Sequence, residues 1–314
     1  MFRYLVTGGA GFIGSHVVDA LATTGNPVRV VDDLSTGFQS NIPKNNLVEF
    51  IKADLAEPGV SEAAVTGVKW VIHLAAIPSV PRSILEPAQT HRANVEATHS
   101  LLLAARDAGV RRFVQASSSS VYGESKTLPK HEEMAPHPVS PYGLHKLIAE
   151  RYANLFTNLY GLETVSLRFF NVFGPRQAAT SQYSGVISLF TAALLSGQTP
   201  TIYGDGEQTR DFTFVSDVAT AVIGACESPS ASGRVINIAG GHRTSINELY
   251  GILQRTTKTN IPPHHTNARA GDIKDSQADI SVAKKVLNFQ PKISVEDGLQ
   301  RTVEWHRSKE TLRT

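Results

Sequence analysis

The sequence has very little cysteine: Cys226 is the only one among its 314 residues. A single cysteine excludes an internal disulfide and is typical of proteins in a reducing compartment. Cys226 lies in the apolar run 222–226, so we expect a small core side chain and not a reactive thiol. The chain also lacks an apolar stretch of about 18–20 residues, the length that a membrane-spanning helix needs.

The charge of the chain is nearly balanced. Its 30 Lys and Arg residues and 28 Asp and Glu residues give a net charge of +2. This is too small to indicate a nucleic acid or a membrane as partner. Hydrophobic residues make up 41% of the chain and charged residues 18%, which is the composition of a globular protein with a full core. Because a strand-like run starts at residue 2, we expect no signal peptide and a cytoplasmic location.

Short apolar runs alternate with helical stretches in the first half of the chain. The runs that we interpret as buried parallel strands are residues 2–6, 28–31, 48–51, 70–74, 113–116 and 164–167, and the helices are residues 13–23, 95–108 and 142–159. This alternation predicts an α/β fold with a doubly wound parallel sheet of the Rossmann type.

The alternation ends near residue 171, where glycine, proline and polar residues become more frequent. We therefore predict a first domain over residues 1–170 and a smaller, irregular α/β lobe over residues 171–314. Short strands of this lobe are predicted at 200–203 and 235–238. Parts of it, including residues 215–225, are expected to pack back against the first sheet.

A glycine-rich turn lies between the first predicted strand and the first predicted helix. It reads Thr7-Gly-Gly-Ala-Gly-Phe-Ile-Gly14, and Gly9, Gly11 and Gly14 have the G-x-G-x-x-G spacing. Such glycines permit a tight turn, a close approach of backbone to phosphate, and close packing of helix on strand. The first N–H groups of the helix then face the pyrophosphate of a dinucleotide.

Asp32 ends the second predicted strand, about 20 residues beyond the glycines, where a carboxylate binds the adenosine ribose hydroxyls. Its charge would repel a 2′-phosphate, so it favours NAD over NADP.

Tyr142-Gly-Leu-His-Lys146 opens a predicted helix, and residues four apart share one helix face. A free tyrosine has a pKa of about 10 and is a poor base at neutral pH. We expect the Lys146 ammonium, together with a positive nicotinamide ring, to lower the pKa of Tyr142 so that it deprotonates a secondary alcohol. Lys146 can also bind the nicotinamide ribose.

A serine run, Ser117-Ser-Ser-Ser-Val-Tyr-Gly123, follows the fifth predicted strand. A serine at the carboxyl end of a parallel strand points into the crevice where ligands bind. One of these hydroxyls can therefore share a hydrogen bond with the alcohol that Tyr142 deprotonates; alternatively, the run is only a polar turn.

These motifs together resemble the extended short-chain dehydrogenase/reductases of the nucleotide-sugar epimerase/dehydratase group, of the UDP-glucose 4-epimerase type. The resemblance covers nearly the whole chain. Its further motifs are Asp54-Leu55, His73-Leu-Ala-Ala76, Arg168-Phe-Phe-Asn-Val-Phe-Gly-Pro175, Arg210-Asp-Phe212 and Arg269-Ala-Gly-Asp272. It implies that the first domain binds NAD, that the lobe binds a UDP-sugar, and that the protein is a homodimer joined through the helices that begin near Arg92 and Tyr142.

The resemblance also implies roles for individual residues. Ser118, Tyr142 and Lys146 would be catalytic, Ser118 because the family's hydroxyl lies four residues before the tyrosine of Val-Tyr-Gly. The residues implied at the cofactor are Gly8, Gly11, Phe12, Ile13, Gly14, Asp32, Asp33, Ser35, Thr36, Gly37, Asp54, Leu55, Leu74, Ala75, Ala76, Tyr142 and Lys146. Those implied at the substrate are Ser79, Arg82, Ser118, Asn171, Val186, Tyr203, Arg210, Arg269, Asp272 and Ser276. Two arginines, Arg210 and Arg269, suit a diphosphate, and no metal site is expected.

Several reactions share this scaffold, so the fold alone does not decide between them. Dehydratases and decarboxylases of the group carry acidic residues just after the catalytic hydroxyl, whereas this chain has Ser119 and Ser120. That favours 4-epimerisation of UDP-glucose and UDP-galactose through a 4-keto sugar. The small Ser276 and the segment 79–83, which resembles that of epimerases for N-acetylated sugars, make UDP-GlcNAc and UDP-GalNAc further candidate substrates. A dehydratase, a UDP-glucuronate-type epimerase, a net oxidoreductase and a non-catalytic dinucleotide sensor stay open as alternatives.

Overall fold

A seven-stranded parallel sheet forms the centre of the protein in the computed structural model, which describes residues 2–178, 185–268 and 274–311. In chain order the strands are β1 (Tyr4–Thr7), β2 (Val28–Asp32), β3 (Val48–Lys52), β4 (Trp70–His73), β5 (Arg112–Ser118), β6 (Glu163–Phe169), β7 (Val172–Phe173), β8 (Thr201–Tyr203), β9 (Thr209–Arg210), β10 (Thr213–Phe214), β11 (Arg234–Ile238), β12 (Thr244–Ser245) and β13 (His264–Thr266). The central sheet has the order β11-β6-β5-β4-β1-β2-β3, and its neighbours all pair in parallel. The predicted α/β class with a doubly wound sheet is confirmed.

The helices of the described residues lie on both faces of this sheet and in a smaller lobe. They are α1 (Phe12–Thr23), α2 (Val60–Val65), α3 (Val80–Leu85), α4 (Pro87–His91), α5 (Ala97–Asp107), α6 (Pro141–Tyr160), α7 (Val186–Leu195), α8 (Val215–Glu227), α9 (Ile246–Thr257), α10 (Ser281–Leu287) and α11 (Val295–Thr311), with a π-helical turn at Arg92–Glu96 before α5.

The central strands are continuous apolar runs because helices cover both of their faces. Helices α1 and α8 pack on one face, where Val18 and Val222 share a core with Ile72 of β4. Helices α2, α5 and α6 cover the other face, where Leu101 and Phe156 pack in a second core. The six predicted strands and three predicted helices of the first half are therefore confirmed, with ends that differ by a few residues.

The smaller lobe has its own core, built mainly from α7, α9 and α11 and including Phe190, Tyr250 and Leu299. The described residues of this region form three two-stranded sheets: β7 with β10, β9 with β12, and β8 with β13. As expected, α8 packs back on the central sheet, and buried Cys226 lies in its core.

The assignment of residues 235–238 to the smaller lobe was wrong. They belong to β11, which forms one edge of the central sheet by pairing with β6 in the register Ile236 to Leu167. Ile236 and Ile238 are fully buried, and they lie in the same core as Ile72 of β4. The chain thus returns to the first domain after residue 171.

Strand order reverses between β1 and β4, because β2 and β3 follow on one side and β5, β6 and β11 on the other. In open α/β sheets, ligands bind outside the carboxyl ends of the strands at such a reversal. No helix in the described part of the chain is long and apolar enough to span a membrane.

Candidate active site

A cavity of about 460 Å³ opens at the carboxyl ends of β1, β4 and β5. Its wall contains most of the residues predicted at the cofactor: Gly8, Gly11, Phe12, Ile13, Gly14, Asp32, Asp33, Ser35, Thr36, Asp54, Leu55, Leu74, Ala75 and Ala76. Ser118, Tyr142, Lys146 and Asn171 line the same cavity. The fold therefore brings the predicted catalytic and cofactor residues together in one space.

The glycine-rich turn leaves no room for side chains at two of its positions. A Cβ on Gly14 would lie 2.1 Å from the carbonyl oxygen of Gly8, and one on Gly8 would lie 2.6 Å from the backbone nitrogen of Ala75. Gly8 also has a φ of +68°, which favours glycine. The turn is thus packed tightly against the segment after β4, and it presents backbone to the cavity at the start of α1, as a pyrophosphate site requires.

Asp32 holds the turn as well as facing the cavity. Its two carboxylate oxygens accept hydrogen bonds from the backbone N–H groups of Ala10 at 2.9 Å and Leu34 at 2.8 Å. Burial raises its pKa, and these backbone donors oppose that rise. Gly37 does not line the cavity: it is buried against Ala10, where a Cβ would lie 2.8 Å from the backbone.

The segment after β4 is fixed by a histidine that sequence reasoning placed in a motif but gave no role. His73 is buried, and its ring nitrogens lie 2.7 Å from the Thr7 hydroxyl and 2.9 Å from the Thr98 hydroxyl. Burial lowers the pKa of His73 to about 3, and the charge of Lys146 acts in the same direction. A neutral ring therefore ties β1, β4 and α5 together beneath the cavity.

The N-terminus of α6 places Tyr142 by capping and by one contact from outside the helix. Pro141 fits the first helical position, and the Ser140 hydroxyl accepts a hydrogen bond from the N–H of Gly143 at 3.1 Å. The Tyr142 N–H donates to the hydroxyl of Ser83, a fully buried residue of α3, at 3.1 Å. Sequence reasoning missed Ser83, because its contact spans 59 positions of the chain.

Lys146 lies one helical turn after Tyr142 and is buried. Its ammonium donates to the carbonyl oxygen of Ala116 at 2.9 Å and lies 6.0 Å from the centre of the Tyr142 ring. Ser118 follows two residues after Ala116, at the end of β5, and its hydroxyl donates to that of Ser120 at 3.1 Å.

The predicted lowering of the Tyr142 pKa by Lys146 is not found in the protein alone. Burial raises the pKa of Tyr142 to about 12, and a hydrogen bond with Ser118 only partly opposes this. Burial also lowers the pKa of Lys146 to about 8, against the charge of Glu150. Phenol and ammonium are thus both pushed towards their neutral forms, and a further positive charge is needed to favour the phenolate.

Among the described residues that were predicted at the substrate alone, only Asn171 lines the cavity. It has a φ of +31°, and its side-chain amide donates to the carbonyl oxygen of Asp211 at 3.2 Å. Asp211 is fully buried, accepts hydrogen bonds from the N–H groups of Gly241 and Ala278, and has a pKa raised by burial to about 7. Asn171 thus joins the cavity to the Arg210 segment.

The other residues predicted at the substrate lie outside the cavity wall or outside the described residues. Ser79 caps α3 by accepting from the N–H of Arg82 at 3.2 Å, and Arg82 pairs with Glu86 at 2.8 Å. Val186 begins α7, and Tyr203 ends β8. Arg269 and Asp272 lie outside the described residues.

Arg210 and Ser276 lie close together. The Arg210 guanidinium and the Ser276 N–H both donate to the carbonyl oxygen of Thr209, at 2.9 Å and 3.2 Å. Within the residues that the structure describes, no three His, Cys, Asp or Glu side chains are grouped as a metal site would need.

The comparisons with known proteins extend over nearly the whole chain. Residues 4–239 match the family described as "NAD dependent epimerase/dehydratase family". The chain belongs to this NAD-dependent family. It is 39% identical to the UDP-glucose 4-epimerase of Mycolicibacterium smegmatis, over 98% of this chain and 99% of the relative. It is 35% identical to the UDP-glucuronate 4-epimerase of Thermodesulfobacterium geofontis, over 99% of this chain and 98% of the relative.

A solved structure of the family is similar in fold as well as in sequence. The UDP-N-acetylglucosamine 4-epimerase of Methanobrevibacter ruminantium M1, in complex with UDP-N-acetylmuramic acid, has a TM-score of 0.94 and is 40% identical. The match covers 98% of this chain and 99% of that one. As a member of the NAD-dependent epimerase/dehydratase family, the protein is an epimerase-type enzyme whose cofactor is NAD.

Proposed function

We propose that this enzyme is a UDP-sugar 4-epimerase that interconverts UDP-glucose and UDP-galactose, and that it also accepts UDP-GlcNAc and UDP-GalNAc. The observation that carries the proposal is that Ser118, Tyr142 and Lys146 line the same cavity as the glycine-rich turn. A proton acceptor and a dinucleotide site in one cavity suit reversible oxidation of a secondary alcohol. Relatives named for glucose and N-acetylglucosamine substrates support the two sugar classes.

The residues present fit NAD. The backbone of Gly8, Gly11 and Gly14 would bind the pyrophosphate, and Asp32 the adenosine ribose. Asp54 and Leu55 would lie at the adenine, and Leu74, Ala75 and Ala76 beneath the nicotinamide ribose. When bound, NAD would supply a reversible hydride acceptor for C4 of the sugar and a positive charge beside Tyr142.

Tyr142 would take the proton of the C4 hydroxyl and later return it. Ser118 shares a hydrogen bond with the Tyr142 hydroxyl, so it would orient both that hydroxyl and the sugar. Lys146 would stabilise the phenolate by its charge while its bond to Ala116 fixes its position. The keto sugar would then rotate within the site, and hydride would return to its other face. The configuration at C4 would thereby be inverted.

The substrate would be held mainly by its nucleotide diphosphate, so that the hexose is free to turn. Asn171, Arg210 and Arg269 are proposed at the diphosphate and Asp272 at the uridine ribose. Proposed sugar contacts are Ser79, Arg82 and Ser276, with Val186 and Tyr203 completing the site. Gly37 supports the turn through Ala10.

The alternative of a dehydratase is disfavoured by the residues after Ser118. Ser119 and Ser120 both line the cavity and offer hydroxyls, whereas elimination of water needs an additional acid and base. A UDP-glucuronate 4-epimerase is the second candidate, because a relative of that name is 35% identical.

The substrate is tested by incubating the purified enzyme with UDP-glucose, UDP-GlcNAc and UDP-glucuronate separately and following the anomeric protons by NMR. We expect the galacto epimer from the first two. Turnover of UDP-glucuronate alone would overturn the proposed substrate, and a 4-keto-6-deoxy product would establish a dehydratase.

We also propose a homodimer. Helix α6 exposes Leu144, Leu155 and Leu159 to solvent, and these positions share one helix face. Light scattering after size-exclusion chromatography should give twice the 33.9 kDa mass of one chain, and a Leu155→Glu variant should give a single chain. The cytoplasmic location stays a prediction.

A further inference from the structure

Helix α6 is joined to β5 by three consecutive strand residues. The Gln115 amide donates to the carbonyl oxygen of Ala149 at 2.9 Å, and Lys146 donates to the carbonyl oxygen of Ala116 at the same distance. The next residue, Ser117, donates from its hydroxyl to Glu150 at 2.5 Å. Ser118 is the residue that follows. The distance between Ser118 and Tyr142 is thus determined by how α6 is seated on β5.

Glu150 is the acidic member of this junction. It is 4% exposed, and both of its carboxylate oxygens are engaged by Arg168 of β6, at 2.8 Å and 2.7 Å. The Arg168 guanidinium is itself held over the ring of Tyr122 at 4.6 Å. A buried carboxylate with this many partners has little freedom to move, so it fixes helix to sheet.

Glu150 also lies one helical turn beyond Lys146, and residues four apart lie on the same helix face. The face of α6 towards the sheet therefore carries Tyr142, Lys146 and Glu150 in succession. Tyr142 and Lys146 have proposed roles in the reaction, whereas the buried carboxylate of Glu150 has none there.

We propose that Glu150 is a positioning residue for epimerisation: paired with Arg168 and bonded to Ser117, it sets Tyr142 and Lys146 against Ser118 and supplies a buried negative charge one helical turn beyond Lys146. This inference rests on the proposed roles of Tyr142 and Lys146. It assigns Glu150 no direct contact with the sugar or with NAD.

The other ionisable groups near Lys146 do not replace that charge. Tyr142 and His145 lie on α6 and His73 on β4; burial favours the neutral form of all three, with a pKa of about 12 for Tyr142 and about 3 for His73. Arg168, from β6, is positive. Glu150 is the group whose charge raises the pKa of Lys146, against the lowering by burial to about 8.

The test compares the pKa of Lys146 in four proteins. Lysine labelled with ¹³C at Cε is titrated by NMR, and the Lys146 signal is assigned with a Lys146→Arg variant. In Glu150→Gln the side-chain shape is kept and the charge is lost, so the midpoint should fall by about one pH unit. Ser117→Ala keeps the charge and loses one hydrogen bond, so the midpoint should not move.

Glu163→Gln is the matched control. Glu163 pairs with buried Arg112 at 2.5 Å. These are the first residues of β6 and β5, so the pair lies at the end of the strands away from Ser118 and Arg168. Its loss should lower the free energy of unfolding without moving the Lys146 titration. If Glu150→Gln does not fold because Arg168 is left unpaired, the double variant Glu150→Gln/Arg168→Met removes both charges. The midpoint should then fall by less than about one pH unit, because loss of the Arg168 charge partly offsets loss of the Glu150 charge.

Turnover of a UDP-sugar is measured on the same proteins. We expect kcat of Glu150→Gln to fall about tenfold, with KM nearly unchanged and the high-pH limb of the kcat profile moved to lower pH. An unmoved Lys146 midpoint in a folded Glu150 variant would overturn the inference while wild-type epimerisation still stands. Absence of epimerisation by the wild type would instead overturn the proposed function, whatever the NMR titration shows.

Discussion

The Lys146 ammonium lies 6.0 Å from the centre of the Tyr142 ring and donates its hydrogen bond to Ala116, not to the phenol. Burial therefore dominates, and it raises the pKa of Tyr142 to about 12 in the protein alone. A positive nicotinamide ring favours the phenolate, so we predict that the pKa of Tyr142 falls when NAD⁺ binds.

Phenolate absorbance near 295 nm, measured against pH with and without NAD⁺, checks this. The difference between wild type and Tyr142→Phe isolates one of the eight tyrosines. The same variant should keep NAD but lose turnover by about 10²–10⁴-fold. If NAD⁺ does not change the pKa of Tyr142, or if Tyr142→Phe keeps full turnover, then Tyr142 is not the group that transfers the proton.

Gly14→Ala should abolish NAD binding, because the new Cβ would lie 2.1 Å from the Gly8 carbonyl and force the turn open. The measurement is bound NAD per chain, from the absorbance of the supernatant after denaturation. Gly251→Ala in α9 is the control, because its Cβ would meet nothing closer than 3.7 Å, and we expect it to keep NAD. Full NAD content in Gly14→Ala would mean that the tight turn is not the pyrophosphate site.

His73 should make the protein less stable as the solution becomes acidic. Its pKa is about 3 in the folded chain against 6.5 for a free side chain, so only the unfolded state gains a proton between these values, and stability falls as pH drops below 6.5. Between pH 7.5 and 5.5 this costs about 1.4 kcal/mol. When His73→Gln is unfolded with denaturant at the two pH values, its free energy of unfolding should fall between them by about 1.4 kcal/mol less than that of the wild type. The exposed His264→Gln should behave like the wild type.

Ser83→Ala should reduce kcat by about fivefold, because the Tyr142 N–H loses its partner at the start of α6. Thr302→Ala, which removes a buried hydroxyl from α11, is the comparison: both variants should unfold more easily, but only Ser83→Ala should lower kcat. If kcat is the same in the two variants, Ser83 stabilises the fold but does not position Tyr142 for the reaction.

Local sequence predicted the parts of the fold that depend on local signals. The strands are continuous apolar runs because both sheet faces are covered, and the glycine turn is recognisable because backbone packing at Gly8 and Gly14 excludes every other residue. The place of β11 beside β6 was not predictable in this way, since sheet order depends on packing between segments far apart in the chain.

The pKa shifts in the site could not be predicted from the sequence either. The spacing places Tyr142 and Lys146 on one helix face. It does not show that burial raises the pKa of Tyr142 by more than the Lys146 charge lowers it. Ser83 and Glu150 were missed for a related reason. Their contacts, to Tyr142 and to Arg168, join residues of different elements, so no local pattern shows them.

The central proposal is that hydride leaves C4 of the sugar and returns to the same carbon within one catalytic cycle. Wild-type enzyme incubated with UDP-[4-²H]glucose, followed by ¹H and ²H NMR, tests this directly. We predict UDP-[4-²H]galactose with the deuterium fully retained and no NADH accumulating. Loss of deuterium from C4 to solvent, or net reduction of NAD⁺ without a galacto product, would contradict it.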